Sequence, residues 1–293
     1  MTFLVSVLAL CLVLHNVCAA PSSIAVYSTV PLNTSLRLSS QPSLTMNKSC
    51  PSTLPTLTVS TTEQQPFLGF GAALTETTAY NFALLKQRNM SAYTELLTSL
   101  FAPHPAGIAI SFLRVPITSS DLSLPTAGWS YDDTPGDLNL EHFNTSHGQA
   151  YQIPILQDIV ALSKQYGTEL RLLGSPWSAP SWIKDSKAWG YGTILDQYYD
   201  WYAAYFVRLI ETFDSLGIPL YAITLQNEPR FEPGSYPGTR FTPQNESALA
   251  NILKPLLRSK NISTLVAAYD HNCTTQTHIH THCCSAALSE TAS

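Results

Sequence analysis

Leu225-Gln226-Asn227-Glu228-Pro229 sets a carboxamide, a carboxyl and a proline side by side where an apolar run ends. A carboxyl group delivered there suits a general acid that protonates a leaving oxygen. The carboxamide of Asn227 offers both a donor and an acceptor, which fits a sugar hydroxyl. Pro229 disfavours helical geometry at the residue before it, so the sequence predicts an extended Glu228. The tripeptide alone reads equally well as a surface glutamate that happens to precede proline.

Trp177, Trp182, Trp189, Tyr191, Tyr198, Tyr199 and Trp201 gather upstream in one short stretch. Aromatic faces stack on the C–H surface of sugar rings, so a mouth lined with them suits a glycoside. Some of these rings, with Tyr202 and Phe206, serve the core instead.

Short apolar runs at 67–74, 108–115, 169–174, 219–225 and 264–269 predict strands. Longer stretches near 76–101, 149–166, 196–216 and 243–258 predict helices. The third helix is the clearest: Tyr202, Phe206, Leu209 and Phe213 recur on one face, and Gly217 and Pro219 end it. Alternating strands and helices mean a parallel sheet covered by helices. No glycine-rich phosphate loop follows any strand. Polar and aromatic residues gather where strands end, at Thr75-Glu76, Arg114, Pro176-Trp177, Asn227-Glu228 and Asp270-His271. In a (β/α)8 barrel those ends share one face and build the active site, which favours the barrel. Five strands over residues 67–270 take roughly 40 residues per unit, so eight units would reach roughly residue 390. The expectation is an α/β fold: an incomplete (β/α)8 TIM barrel of about five units over 67–272.

Residues 21–66 are rich in Ser, Thr and Pro, with alternating stretches such as Ile24-Ala25-Val26-Tyr27 and Leu57-Thr58-Val59. They predict two or three short strands of a small β-structure. Residues 3–14 form an apolar run followed by small residues, which reads as a secretory signal cut near Ala19 or Ala20, over 1–20. Asn-x-Ser/Thr sequons at Asn33, Asn47, Asn89, Asn144, Asn245, Asn261 and Asn272 fit a glycosylated protein of the secretory pathway, extracellular or lysosome-like. Glycans would also explain how 12% charged residues suffice for the surface. Fifteen Lys+Arg against twenty Asp+Glu give no basic footprint for nucleic acid. Cys50, Cys273, Cys283 and Cys284 are too few to be the main scaffold.

Five ordered blocks resemble the strand ends of glycoside hydrolase family 30, the glucosylceramidase-like enzymes. They are Gly69-Phe-Gly-Ala-Ala-Leu-Thr-Glu76; Phe112-Leu-Arg-Val-Pro-Ile117 with Ser119-Ser-Asp-Leu-Ser123; Leu172 to Lys184 (LLGSPWSAPSWIK); Thr224-Leu-Gln-Asn-Glu-Pro229; and Ala268-Tyr-Asp-His-Asn272. The resemblance covers roughly 22–272. It implies a (β/α)8 barrel with a β-sandwich side domain built from both chain ends. It also implies retaining hydrolysis of a β-glycosidic bond, with glucosylceramide the leading substrate and β-1,6-glucan or xylan as alternatives. Carried across, Glu228 is the acid/base and Asn227 holds the sugar 2-hydroxyl. Glu76 stands where the family usually has Asp and binds sugar hydroxyls at the far end of the pocket. Trp177 forms a wall, and Arg114 braces the nucleophile's carboxylate. The resemblance implies no metal and no organic cofactor. The substrate is a β-glucoside or glycolipid, and a membrane-surface lipid and an activator protein are left open as partners.

Retention needs a second carboxylate about 5 to 5.5 Å from the first. The family supplies it from its seventh strand, and nothing after Asn272 resembles a sixth, seventh or eighth strand. Cys273 stands where the family has Trp, and residues 273–293 read as sequence foreign to the fold. His278, His280 and His282 with Cys283 and Cys284 raise a metal-binding alternative, though their spacing matches no zinc site. The expectation for this polypeptide alone is an aggregation-prone half-barrel without retaining activity. A non-catalytic secreted glycan-binding fragment is the alternative.

Overall fold

The computed structural model describes residues 23–28, 39–45, 60–124 and 128–272. The signal segment, Leu57-Thr58-Val59, all six cysteines and the His/Cys tail lie outside the described residues. The chain divides into two units, Met1–Pro66 and Phe67–Ser293. In the first, β1 (Ser23–Ser28) pairs antiparallel with β2 (Ser39–Thr45), with a register shift between Ile24 and Val26.

The second unit is a parallel sheet of five strands in sequence order. These are β3 (Gly71–Ala73), β4 (Phe112–Pro116), β5 (Arg171–Ser175), β6 (Ala222–Thr224) and β7 (Leu265–Ala267). All run the same way, so their C-terminal ends lie along one edge, as in a barrel. Among the described residues the row is open, β3 pairing only with β4 and β7 only with β6. This is an incomplete α/β barrel. The paired segments are shorter than the apolar runs that predicted them. Residues beyond each strand leave the ladder to form loops, and Trp177, Asn227, Glu228 and Asp270 sit there.

Helices flank the strands. They are α1 (Glu76–Arg88), α2 (Met90–Phe101), α3 (Ser146–Ala150), α4 (Gln152–Gln165), α5 (Tyr199–Ser215) and α6 (Pro243–Ser259). The single helix expected over 76–101 is two. Asn89 is extended (φ −155°, ψ 92°); its N–H closes α1 on Leu85 O at 2.7 Å and its side chain caps α2 by accepting Ala92 N–H at 3.0 Å. A short carboxamide that can bond nearby backbone competes with the helix interior and favours such a cap. The helix expected over 149–166 breaks likewise at Tyr151, which separates α3 from α4.

On α5 the predicted face is buried: Tyr202, Phe206, Leu209 and Phe213 have no exposed surface. Each such side chain contributes about 1.5–3 kcal/mol by leaving water. Gly217 then takes φ +77° and lets Ile218 N–H return to Phe213 O at 2.9 Å. Along α6 the buried residues are Glu246, Leu249, Leu253 and Leu257, one face at helical spacing. Thr242 and Asn245 form a capping box at its start. The Asn245 carboxamide is engaged at both ends there: Oδ1 accepts from Thr242 N at 3.0 Å and Oγ1 at 2.7 Å, and Nδ2 donates one hydrogen to the Tyr199 hydroxyl at 2.8 Å.

Candidate active site

β4 alternates, with Leu113 and Val115 buried and the side chain of Arg114 on the opposite face. From there one guanidinium nitrogen, Nη2, serves three loops. It donates to Ser175 Oγ at the end of β5 (3.0 Å), to Asn227 Oδ1 beyond β6 (2.6 Å) and to Asp270 Oδ2 beyond β7 (2.5 Å). Ser175 Oγ and Thr224 Oγ1 also donate to that Asp270 oxygen, at 2.8 and 3.1 Å. The Arg114 guanidinium lies over the Trp177 ring, 4.6 Å from its centroid, a cation–π contact. Among the described residues the carboxylate paired with Arg114 is that of Asp270.

Backbone bonds lock the two strand ends that carry Asn227 and Asp270. These residues form an isolated parallel bridge. Asn227 N–H donates to Pro176 O at 2.8 Å, and Glu228 N–H to Asp270 O at 2.8 Å. Glu228 is not extended: its φ is +45°. Its carbonyl accepts Phe231 N–H at 2.9 Å, so the chain turns sharply at the residue that presents the carboxyl. A non-glycine residue in this region costs about 1–3 kcal/mol and persists where its surroundings fix it, as these two bonds do. Proline disfavours the right-handed helical region at Glu228; the turn places it in the left-handed one rather than the strand region. Tyr269, just before Asp270, is also left-handed, with φ +57°.

The structure therefore joins Arg114, Trp177 and Asn227 directly, and Glu228 enters through its backbone. Glu76 is tied elsewhere. It is buried in the first turn of α1, and its Oε2 accepts Leu124 N–H at 3.2 Å, pinning the loop after β4. A carboxylate at a helix N-terminus is favoured by the helix dipole. Of the aromatic cluster, Trp182, Tyr199, Trp201 and Tyr202 are core. Trp182 meets Trp201 edge-on at 4.7 Å, and their indole N–H groups donate to Asp132 O and Asp137 O at 3.1 and 2.7 Å. Tyr191 is exposed.

Sequence reasoning placed Asp270 among the strand-end residues but gave it no individual role, and it singled out none of Ser175, Thr224, Lys184 and Glu246. Glu246, on the buried face of α6, accepts Tyr269 N–H at 3.3 Å. Burial pushes its carboxyl up to about 7; the Tyr269 amide pulls against the rise and the charge of Asp270 adds to it. Among the described residues no group of three or more His, Cys, Asp or Glu side chains could hold a metal. Two surface grooves, between α5 and α6 near Arg208 and beside Lys86 and Asp158, touch none of these site residues.

Residues 67–259 match the family described as Glycosyl hydrolase family 30 TIM-barrel domain. The chain is 36% identical over 229 residues to an endo-1,6-beta-D-glucanase of Aspergillus fumigatus, covering 71% of this chain and 44% of that protein. It is 37% identical over 178 residues to putative glucosylceramidase 4 of Caenorhabditis elegans, covering 58% and 32%. Among solved structures, the endo-beta1,6-glucanase BT3312 superposes with a TM-score of 0.63 at 32% identity, over 71% of this chain and 45% of that one. The chain spans less than half the length of these curated relatives.

Proposed function

This chain belongs to glycosyl hydrolase family 30, and we propose from that membership that its strand-end site handles a β-glucoside, with Glu228 as the acid/base. The observation that carries the reading is the Arg114–Asn227 bond of 2.6 Å beside Glu228. It commits Asn227 Oδ1 to the guanidinium and leaves the Nδ2 hydrogens for a sugar hydroxyl. Glu228, one residue on, is half-buried and is fixed by its amide to Asp270 O at a left-handed turn. There it would give its proton to the leaving glycosidic oxygen. Trp177 supplies an apolar wall whose other partner is Arg114.

β-1,6-Glucan is favoured as substrate, because likeness to endo-1,6-glucanases extends over 71% of the chain in sequence and in structure. Glucosylceramide, the leading substrate at the level of sequence, is the second reading and rests on the likeness to glucosylceramidase 4. Retention requires a second carboxylate. Asp270 is already held by Arg114, Ser175 and Thr224, so we assign it as a brace and not as the nucleophile. The described part of the chain then binds sugar without turning it over. The apolar run of residues 3–14 and the sequons support a secretory setting.

Titration of the full chain with a soluble β-1,6-linked gluco-oligosaccharide tests this. Asn227→Ala should weaken binding about tenfold, the loss of one hydrogen bond to a buried partner. Glu228→Gln should hold binding within about twofold, since a general acid acts chiefly in the transition state. Equal binding by Asn227→Ala and the unaltered chain would remove the site. Glucose release by the unaltered chain would show that a second carboxylate is present after all.

A further inference from the structure

Lys184 has no exposed surface, yet its ammonium is fully partnered. Nζ donates to Ser178 Oγ at 2.9 Å, to Trp189 O at 3.0 Å and to Gly238 O at 2.9 Å. Three N–H groups meet three oxygens, which exhausts the donors of a lysine. The oxygens belong to two loops. Ser178 and Trp189 lie in the loop after β5, which begins at Pro176-Trp177. Gly238 lies in the loop after β6, which carries Asn227 and Glu228.

Around Lys184 the loops are stitched backbone to backbone. Gly234 N–H donates to Gly190 O at 3.0 Å, Gly238 N–H to Trp189 O at 2.8 Å and Arg240 N–H to Gly192 O at 3.0 Å. Ala179 N–H donates to Thr239 Oγ1 at 2.9 Å. A Cβ on Gly190 would come 2.4 Å from Gly234 O, so only glycine permits this approach. Burying an ammonium is costly unless it is well bonded, and here its bonds fall across the seam between the loops.

We propose that Lys184 is a positioning residue whose buried ammonium fixes the loop carrying Trp177 against the loop carrying Glu228. What those loops position rests on the glycosidase reading; that Lys184 joins them does not. The charged groups facing it are Asp185 on its own loop and Glu232 on the other, and both favour the ammonium. Burial outweighs them and pushes Lys184 down to about 7. Above that pH the neutral amine has two N–H groups for three oxygens, and the seam loosens.

Amide hydrogen exchange on the full chain, at pH 6 and pH 8 and corrected for intrinsic rates, tests the role. In the unaltered chain the amides of 234–241 should exchange about tenfold faster at pH 8, as one bond to a charged group is lost. Lys184→Met should show that faster exchange already at pH 6 and no further pH step. Ser178→Ala, which removes one acceptor and keeps the ammonium, should fall between the two. Protection on α5 should be unchanged throughout. Three outcomes would overturn the proposal: unchanged exchange of 234–241 in Lys184→Met, a pH step that survives in that variant, or loosening of α5 in step with the loops. The measurement uses no sugar, so it fails or succeeds independently of the binding titration above.

Discussion

Asp270 meets Arg114 across four strands of one sheet, Oδ2 lying 2.5 Å from Nη2 although β5 and β6 stand between β4 and β7. A flat row would put the two backbones about 14 Å apart, at about 4.8 Å per strand. Curvature of the sheet, the feature that closes barrels, brings the side chains within reach. Five parallel strands are thus enough to bend the row and converge four strand ends on one guanidinium.

Asp270→Ala should destabilise the second unit by about 1–3 kcal/mol, because it leaves a half-buried guanidinium with its carboxylate partner gone. Urea unfolding followed by tryptophan fluorescence reads the change. Asp270→Asn, which keeps an oxygen for Arg114 and for the hydroxyls of Ser175 and Thr224, should lose less.

Glu246 gives the fold a pH dependence. Its ordinary value is 4.5 and the folded chain raises it to about 7. Burial likewise lifts Asp132 from 3.8 to about 6. Between the ordinary and raised values the folded state binds more protons than the unfolded state, so stability falls as pH rises from about 5 to 7. Glu246→Gln should flatten this slope by on the order of 2 kcal/mol across that window, measured as urea midpoints at each pH. An unaltered slope in Glu246→Gln would remove its assignment.

Tyr202→Phe should leave stability equal or raise it by about 1 kcal/mol. Its hydroxyl is buried and has no hydrogen-bond partner among the described residues, so deleting the oxygen relieves a desolvation cost. Thermal unfolding of the two chains side by side provides the check, and a clear loss in the variant would mean that a partner holds the oxygen.

Asn89→Ala should cost about 1 kcal/mol or somewhat more, since the side chain caps α2. Asn89→Asp keeps an acceptor oxygen and should recover most of that loss by circular dichroism melts.

Much of the second unit was legible in local pattern. Tyr202, Phe206, Leu209 and Phe213 announced α5, and Leu249, Leu253 and Leu257 fall on the buried face of the helix expected over 243–258. The break at Asn89 was not legible, because residues that favour helix (Leu85, Lys86, Gln87, Arg88, Met90 and Ala92) stand on both sides of it, and the cap depends on one side-chain bond to Ala92. Within the candidate site, Arg114, Trp177, Asn227 and Glu228 were legible as strand-end residues. Their real arrangement was not: the Arg114–Asp270 pair spans 156 positions in sequence and exists only because the sheet bends. The turn at Glu228 was misread for a related reason. Proline removes one backbone region locally, but the choice among the rest comes from Asp270 O and Phe231 N, which other segments and the following turn supply.

Asn245 carries a consequence for how the chain is made. Its carboxamide nitrogen is the atom an N-linked sugar would take, and the finished helix start holds that nitrogen against the Tyr199 hydroxyl. The cap itself is made by Oδ1, which a sugar on the nitrogen would leave in place, and of the two nitrogen hydrogens only one is needed for Tyr199. A sugar at this position would then have to lie against the buried Tyr199 ring in the finished fold as well as during synthesis.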